Sequence, residues 1–432
     1  MYPNLYYAFK DLFGVEWTGL RFVNSFGFFV ALAFISAALV LASELRRKSK
    51  LGLLHYKEAK IIVGQPATPL ELILNFLLGF ILGYKFGAII SNNSPTVNPT
   101  EIIFSTEGNW LIGISAGLFF AGLKWWEKNK QKLSTPEERT IRIWPHDRVG
   151  DLVIFAAVFG FLGAKLFHNL ENWDELVSDP LGSLLSFSGL TFYGGLICAA
   201  LAIWWYARKH GIGIWHLNDA AAPSLMLSYA VGRIGCQVAG DGDWGIINSA
   251  YLSNPEGKSL PASGAQFQSA LQANNDFFVR TFGSMDKVEH LSFKGPTYLP
   301  DWMFGYAYPH NVINEGIPLT DCTGQYCAYL PIPVFPTPFY EILSCLLLFF
   351  VLWSLRKRIK IPGYIFAIYL ILNGIERFLI EKIRVNTTYS IFGFHPTQAE
   401  IISFSFIVAG FVLLAYLRKR HSSSAVQKLS ST

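Results

Sequence analysis

Long apolar runs, broken at intervals by short clusters of charge, dominate the pattern of this chain. Crossing about 30 Å of hydrocarbon takes about 20 helical residues. Nine segments approach that length, near residues 22–43, 70–92, 109–125, 150–168, 185–206, 218–238, 340–355, 362–381 and 398–417, the third and seventh being short. The pattern predicts an all-α integral membrane protein, a polytopic bundle of about nine transmembrane helices.

Composition agrees: 52% of the residues are hydrophobic and only 15% charged, too little polar surface for a soluble globule of 432 residues. Charge then supplies an orientation, because cytoplasmic loops collect Lys and Arg. Basic clusters follow the first span (Arg46, Arg47, Lys48, Lys50), the third (Lys124, Lys128, Lys130, Lys132), the fifth (Arg208, Lys209), the seventh (Arg356, Lys357, Arg358, Lys360) and the ninth (Arg418, Lys419, Arg420). The stretches at 93–108 and 169–184 carry no Lys or Arg. The expected topology is N-terminus out, C-terminus in, and the net charge of +5 is absorbed by the inner loops without invoking nucleic acid. The first run is longer than a signal-peptide core and its basic cluster follows it, so it is expected to remain in the mature protein.

The long stretch from 239 to 339 is polar, rich in Gly and Pro, and is read as an extracytoplasmic loop. Cys322 and Cys327 lie close together within it, leaving open a disulfide or two free thiols. The other three cysteines are scattered through the spans and form no metal pattern. Residues 421–432 read as a polar cytoplasmic tail.

Ionisable residues inside spans are costly and mark sites. In the expected topology Arg233 of GRIGCQVAGDGDWG and Glu376, Arg377 and Glu381 of NGIERFLIEKIR come to one depth, in the outer half of the membrane. Tyr193 of TFYGGL, Tyr340 and Glu341 of FYE, Lys165, His168, His395 and Gln398 are expected near that level. Each has a plainer reading. A cation near a boundary commonly snorkels to headgroups, the first reading for Lys165 and Arg384. Glu376, Glu381 and Asp241 could simply be ion-pair partners, Tyr193 an interfacial aromatic, and Gly194–Gly195 a close-packing pair. Arg233, set among Gly232, Gly235, Gly240 and Gly242, stands furthest from such a reading, since glycines allow backbone to approach a ligand. Two guanidinium groups at the outer-leaflet level suit a phospholipid phosphate. No HExxH, GxSxG, CxxC or P-loop pattern is present, which disfavours metal, serine-hydrolase and nucleotide chemistry, and no cofactor is expected.

At these residues the sequence resembles the prolipoprotein diacylglyceryl transferase family. The resemblance rests on Gly232, Arg233, Gly235, Trp244 and Gly245, on Tyr193-Gly194-Gly195-Leu196, on PTPFYE (336–341), and on Arg377, Glu381 and Arg384. It implies transfer of the diacylglyceryl group of phosphatidylglycerol to the lipobox cysteine thiol of a prolipoprotein signal peptide. It also implies the bacterial cytoplasmic (inner) membrane, with the active site toward the outer leaflet and membrane lipids as partners. By position, Arg233 would bind the headgroup and Arg377 assist at the phosphate. Asp241 or Asp243 would take the place of the family's acid. Gly194, Gly195, Gly232, Gly235, Cys236, Trp244, Gly245, Tyr340, Glu341, Glu381 and Arg384 would shape the substrate site.

The implied organisation is 1–60, first helix and basic loop; 61–149, an inserted pair of helices; 150–245, catalytic helices; 246–338, extracytoplasmic loop; 339–420, C-terminal helices; and 421–432, tail. Three positions depart from the family pattern: Tyr193 replaces a histidine, Cys236 an asparagine, and Phe335-Pro336-Thr337-Pro338 an HPSQ element. Tyr, with a pKa of about 10, is a poor base, which leaves Asp241 or His310 as acceptor of the thiol proton and Tyr193 as a substrate-orienting group. The competing readings are a phospholipid-binding member with altered catalysis and a membrane transporter, for which Lys85 is the best candidate residue.

Overall fold

Backbone amides in hydrocarbon must bond within their own segment, so apolar runs of this length fold as helices. In the computed structural model, which describes residues 1–91, 106–185, 191–322, 324–385, 389 and 394–430, each expected span coincides with a helix. Outside the 246–338 region and the short helices Trp173–Ser178 and Pro180–Leu185, the α-helices are α1 (Leu5–Phe13), α2 (Ser25–Lys50), α3 (Pro69–Ser91), α4 (Trp110–Lys130), α5 (Val149–Glu171), α6 (Phe192–His210), α7 (Ile214–Ala239), α8 (Thr337–Leu355), α9 (Tyr364–Glu381) and α10 (Gln398–Ser430). Among the described residues five helices, α2, α3, α5, α8 and α10, are long and apolar enough to cross a membrane by length and composition alone. The chain is thus a helical membrane protein. Most of the outer stretch expected at 93–108 lies outside the described residues, as do residues 186–190 and Asn386.

The chain divides into two compact units. One comprises Asn4–Asn24 and Glu58–Ile143. Its centre is the hairpin of α3 and α4, where Gly79, Gly83, Gly113 and Gly117 remove side chains from the helix–helix seam. A Cβ on Gly83 would fall 2.7 Å from the Ile112 carbonyl oxygen, and one on Gly117 2.8 Å from the Phe76 ring. Small residues at four-residue spacing allow such approach, and dispersion and backbone contact then hold the pair in lipid. A two-stranded sheet, β1 (Lys57–Val63) with β2 (Glu137–Ile143), ties the ends of the hairpin. Lys85, within α3, donates to the Glu107 carbonyl at 3.0 Å and lies over the Tyr84 ring.

The larger unit comprises Met1–Pro3, Ser25–Lys57 and Trp144–Thr432. Helix α7 is its axle, packing against α2, α8 and α9. Ala220, Ala222, Ala230 and Ala239 are fully buried along it, because small side chains let three neighbours close in. Met226, Cys345, Phe349, Leu352 and Ile365 fill the space between α7, α8 and α9.

An ionic latch lies near the start of α7. Asp219, 3% exposed, accepts the N–H groups of Gly363 (2.8 Å) and Phe366 (3.1 Å), capping the start of α9, and pairs with Lys48 at 3.6 Å. Glu44 sits between Arg47 and Arg356, joining α2 to the end of α8, and the Arg356 guanidinium stacks on Trp353 at 3.2 Å.

The 246–338 region, expected as a polar loop, is a packed head with its own core. Phe267, Phe277, Phe278, Tyr308 and Ile332 are buried together, flanked by helices Gly264–Ala273 and Asn275–Phe282. Its apolar residues are too dispersed for a period to show. A disulfide joins Cys322 and Cys327, whose Cα atoms are 5.6 Å apart.

Candidate functional site

Helix α7 ends at Gly240, whose φ of 65° only glycine adopts cheaply, and Gly242 (φ 95°) turns the chain again. The turn is gripped by the head. Val312 N–H donates to the Ala239 carbonyl at 3.0 Å, and a Cβ on Gly240 would lie 2.9 Å from that of Asn311. Beyond it the chain passes between two others, with Gly245 N–H on the Phe335 carbonyl and Ile246 N–H on that of Ile383, both at 2.9 Å. A side chain at Gly245 would reach 2.5 Å from the Ile383 oxygen, so this glycine is what lets the acid-bearing turn lie beside Arg384.

Three arginines meet four carboxylates here. Fully buried Glu341 accepts hydrogen bonds from Arg377 Nη1 at 3.2 Å and the Tyr229 hydroxyl at 2.7 Å, and forms ion pairs with Arg233 Nε at 2.9 Å and Arg384 Nη1 at 3.9 Å. Asp243 bridges Arg233 and Arg384 with one oxygen to each. Arg377 also pairs with Glu381 at 3.2 Å, and Thr397 donates to the other Glu381 oxygen at 2.7 Å. Ser344 donates to Glu376 at 3.2 Å. Burial works to raise the Asp243 pKa, but Arg233 and Arg384 together outweigh it and hold the carboxyl below its usual range.

The structure thus gathers Arg233, Arg377, Arg384, Asp243, Glu341 and Glu381. Arg384 faces inward to Asp243 with its side chain 11% exposed, rather than snorkelling outward. Tyr193 lies within electrostatic reach of Arg377 and Glu381. Asp241 accepts the Asp243 N–H at 3.3 Å and lies beside Cys236; among the described residues it forms no ion pair. Cys236 Sγ is 3.6 Å from Arg233 Nη1. A Cβ on Gly232 would meet nothing within 4 Å, whereas one on Gly235 would face Phe26 and Phe29 of α2. Gly194 and Gly195 face α5: a Cβ on either would strike the Gly163 or Gly160 carbonyl oxygen at 2.7 or 2.8 Å, so both serve helix packing. Trp244 packs against Tyr308 with tilted rings, centroids 4.9 Å apart, and Tyr340 donates to the Met303 carbonyl at 2.7 Å.

Several expected neighbours stay outside the network. His168 bonds with Asn172, one turn on in its own helix region, and His395 and Gln398 are exposed. His310 contacts the Tyr326 carbonyl at 2.7 Å beside the disulfide. Tyr229, Ser344 and Thr397 were not singled out from sequence. Tyr229 lies four residues before Arg233, one helical turn away, and that spacing was the available signal.

Chemically, this is an array of guanidinium groups fixed in direction by buried carboxylates, with Arg377 24% and Asp243 31% exposed at its open edge. Such an array binds and stabilises anionic oxygens without reorganising. Among the described residues, no group of three or more His, Cys, Asp or Glu side chains could hold a metal ion.

A family model of prolipoprotein diacylglyceryl transferase matches residues 110–416. The chain is 25% identical over 309 residues to the phosphatidylglycerol–prolipoprotein diacylglyceryl transferase of Shouchella clausii, covering 71% of this chain and 83% of that one. It is likewise 25% identical over 339 residues to the protein of that name from Psychrobacter arcticus, covering 76% and 95%. A shorter match to the Pseudomonas aeruginosa protein of that name reaches 34% over 140 residues, 30% of this chain and 50% of the relative.

Proposed function

The chain belongs to the prolipoprotein diacylglyceryl transferase family and is a transferase of lipoprotein biosynthesis, and from that premise we propose that it uses phosphatidylglycerol to lipidate prolipoproteins. The sulfur of the lipobox cysteine attacks the terminal glyceryl carbon of the diacylglycerol moiety. An S–C bond forms, the C–O bond to phosphate breaks, and glycerol phosphate leaves with the bonding electron pair. The thiol proton passes to a carboxylate.

The observation that carries this reading is the convergence of Arg233, Arg377 and Arg384 on Glu341 and Asp243. Arg233 holds the headgroup phosphate, and Arg377, aimed by Glu341 and Glu381, meets the charge that grows on the departing phosphate. Arg384 and Asp243 fix the orientation of Arg233. Asp241 takes the thiol proton: it lies beside this network, next to Cys236, and among the described residues it forms no ion pair. Tyr193 orients the thiol. In this reading the cluster lies at the outer leaflet of the bacterial inner membrane, with nine spans in the N-out sense, a topology that the distribution of basic loops supports.

Purified protein, phosphatidylglycerol vesicles and a lipobox peptide provide the test. Glycerol phosphate release together with thioether formation on the peptide is expected. No release where the Shouchella clausii protein works would sink the proposal.

A further inference from the structure

One excursion of the head, residues 293–304, is built firmly yet displays apolar side chains. Its two ends are clamped by fully buried Asn248, whose Nδ2 donates to the carbonyls of Phe293 (2.8 Å) and Phe304 (2.9 Å) while its Oδ1 accepts the Phe293 N–H (3.0 Å). Gly295 N–H donates to the hydroxyl of buried Tyr251 at 3.0 Å, and Phe304 covers Gly295 so closely that a Cβ there would lie 2.1 Å from the ring. Turns at Pro296–Leu299 and Pro300–Met303 set the tip. These bonds fix the backbone of the excursion without turning its aromatic residues inward. Instead Tyr298 is 82% exposed, with Phe293, Leu299, Trp302 and the cation Lys294 exposed around it.

This patch has a fixed neighbour. Trp302 packs on Phe339 with ring centroids 5.0 Å apart, and the Tyr340 hydroxyl donates to the Met303 carbonyl at 2.7 Å. Phe339 and Tyr340 lie in the first turn of α8, a helix long and apolar enough to span the membrane. A segment bolted to the first turn of a spanning helix stands at the bilayer boundary. Aromatic rings with a lysine at that level match the interfacial zone, where amphipathic rings settle among headgroups and a cation meets anionic lipid.

We propose that residues 293–304 form an interfacial wedge that inserts Tyr298 and Leu299 into the lipid surface beside α8. The wedge seats the head on the bilayer and holds Tyr340, next to Glu341, at headgroup depth. This assignment stands on the membrane location of α8 and is independent of the proposed chemistry.

The test is photocrosslinking of the full chain with benzoylphenylalanine in place of Tyr298, a position exposed enough to leave folding intact. The protein is placed in nanodiscs of phosphatidylglycerol and phosphatidylethanolamine, irradiated, and analysed by mass spectrometry with and without a lipobox peptide. Phospholipid adducts are expected in the absence of peptide and unchanged by its addition. Adducts to peptide alone would assign the patch to the polypeptide substrate and overturn the proposal. Absence of both adducts would show a water-facing tip and overturn it equally.

Discussion

Roughly 21 Å of helix α7 separates Asp219 from Arg233, and each belongs to an ionic cluster of different design. In the Asp219 cluster the carboxylates are sealed and committed to holding helices: Asp219 caps α9 and pairs with Lys48, and Glu44 staples α2 to α8 through Arg47 and Arg356. In the Arg233 cluster the sealed glutamates Glu341 and Glu381 aim the cations, while Arg377 and Asp243 at the edge keep 24% and 31% of their side-chain surface. Burying charge costs several kcal/mol per ion whichever end it occupies. At one end the return is a fixed helix geometry. At the other it is a set of guanidinium groups directed at an open edge.

The comparison breaks if the two clusters respond alike to mutation. Arg233→Ala should lower turnover roughly 10³-fold, the scale of losing a dedicated charge-stabilising donor, while the protein remains monodisperse in detergent. Arg233→Lys should recover little, because an ammonium cannot span Glu341 and Asp243 as a fork. Glycerol phosphate release and a thermal melt on the same sample read both. Near-normal turnover in Arg233→Ala would remove that residue from the mechanism. Glu44→Ala should do the reverse. It leaves Arg47 and Arg356 without their carboxylate and should cost about 3 kcal/mol of stability, yet turnover per folded molecule should stay within about twofold of wild type, the ordinary scale of a change that touches none of the reacting groups. A turnover loss matching that of Arg233→Ala would mean that the latch takes part in the chemistry.

A smaller effect concerns Asp243, which sharpens the claim that the open cluster is preset. Its folded pKa lies below the ordinary carboxylate value, held there by Arg233 and Arg384 against the cost of burial. A depressed pKa stabilises the fold above the unfolded pKa, about 4, and that stability is lost as pH falls through the folded value. Asp243→Asn should therefore lower stability by about 2 kcal/mol at neutral pH, the worth of charge-assisted hydrogen bonds. The gap between melting temperatures of wild type and variant should be constant above pH about 5 and close in more acid buffer. A gap independent of pH down to the acid limit would mean that Asp243 is not ionised in the folded protein.

How much of this was legible in the sequence follows from what each feature depends on. The helices were visible because lipid demands long apolar runs, and Arg233, Arg377 and Glu381 because charge inside such runs is rare. Arg384 was ambiguous: a cation just past a helix end looks the same whether it turns to water or to an acid. Its partner Asp243 depends on the Gly240–Gly245 turn threading between Phe335 and Ile383, contacts that span some of the longest sequence separations in the site. Gly194 and Gly195 pointed both to substrate and to packing, and only the neighbouring carbonyls of α5 reveal the packing. The head hid for another reason: in a membrane chain an aromatic-rich polar stretch has no apolar period, so its core of Phe267, Phe277 and Phe278 could not be told from loop.

The smallest expected effect probes Tyr193, where the chain departs from the family's histidine. Tyr193 shares the field of Arg377 and Glu381, and a hydroxyl there can orient a thiol without accepting its proton near neutral pH. If Asp241 is the acceptor, Asp241→Asn alone should lose the benefit of general-base catalysis, about 10²-fold at pH 7. Tyr193→His, bringing an imidazole with an ordinary pKa of about 6.5, should then restore about tenfold of that loss and give the double variant a turnover that rises through pH 6 to 7. In the wild-type background the same substitution should change turnover only a few-fold, because the proton already has a destination. Rescue by histidine would place the thiol between Tyr193 and Asp241, at the open edge and not within the sealed part of the cluster. Full activity in Asp241→Asn would move the proton elsewhere while leaving the roles of the arginines standing, since those rest on Glu341 and Asp243 and not on the base.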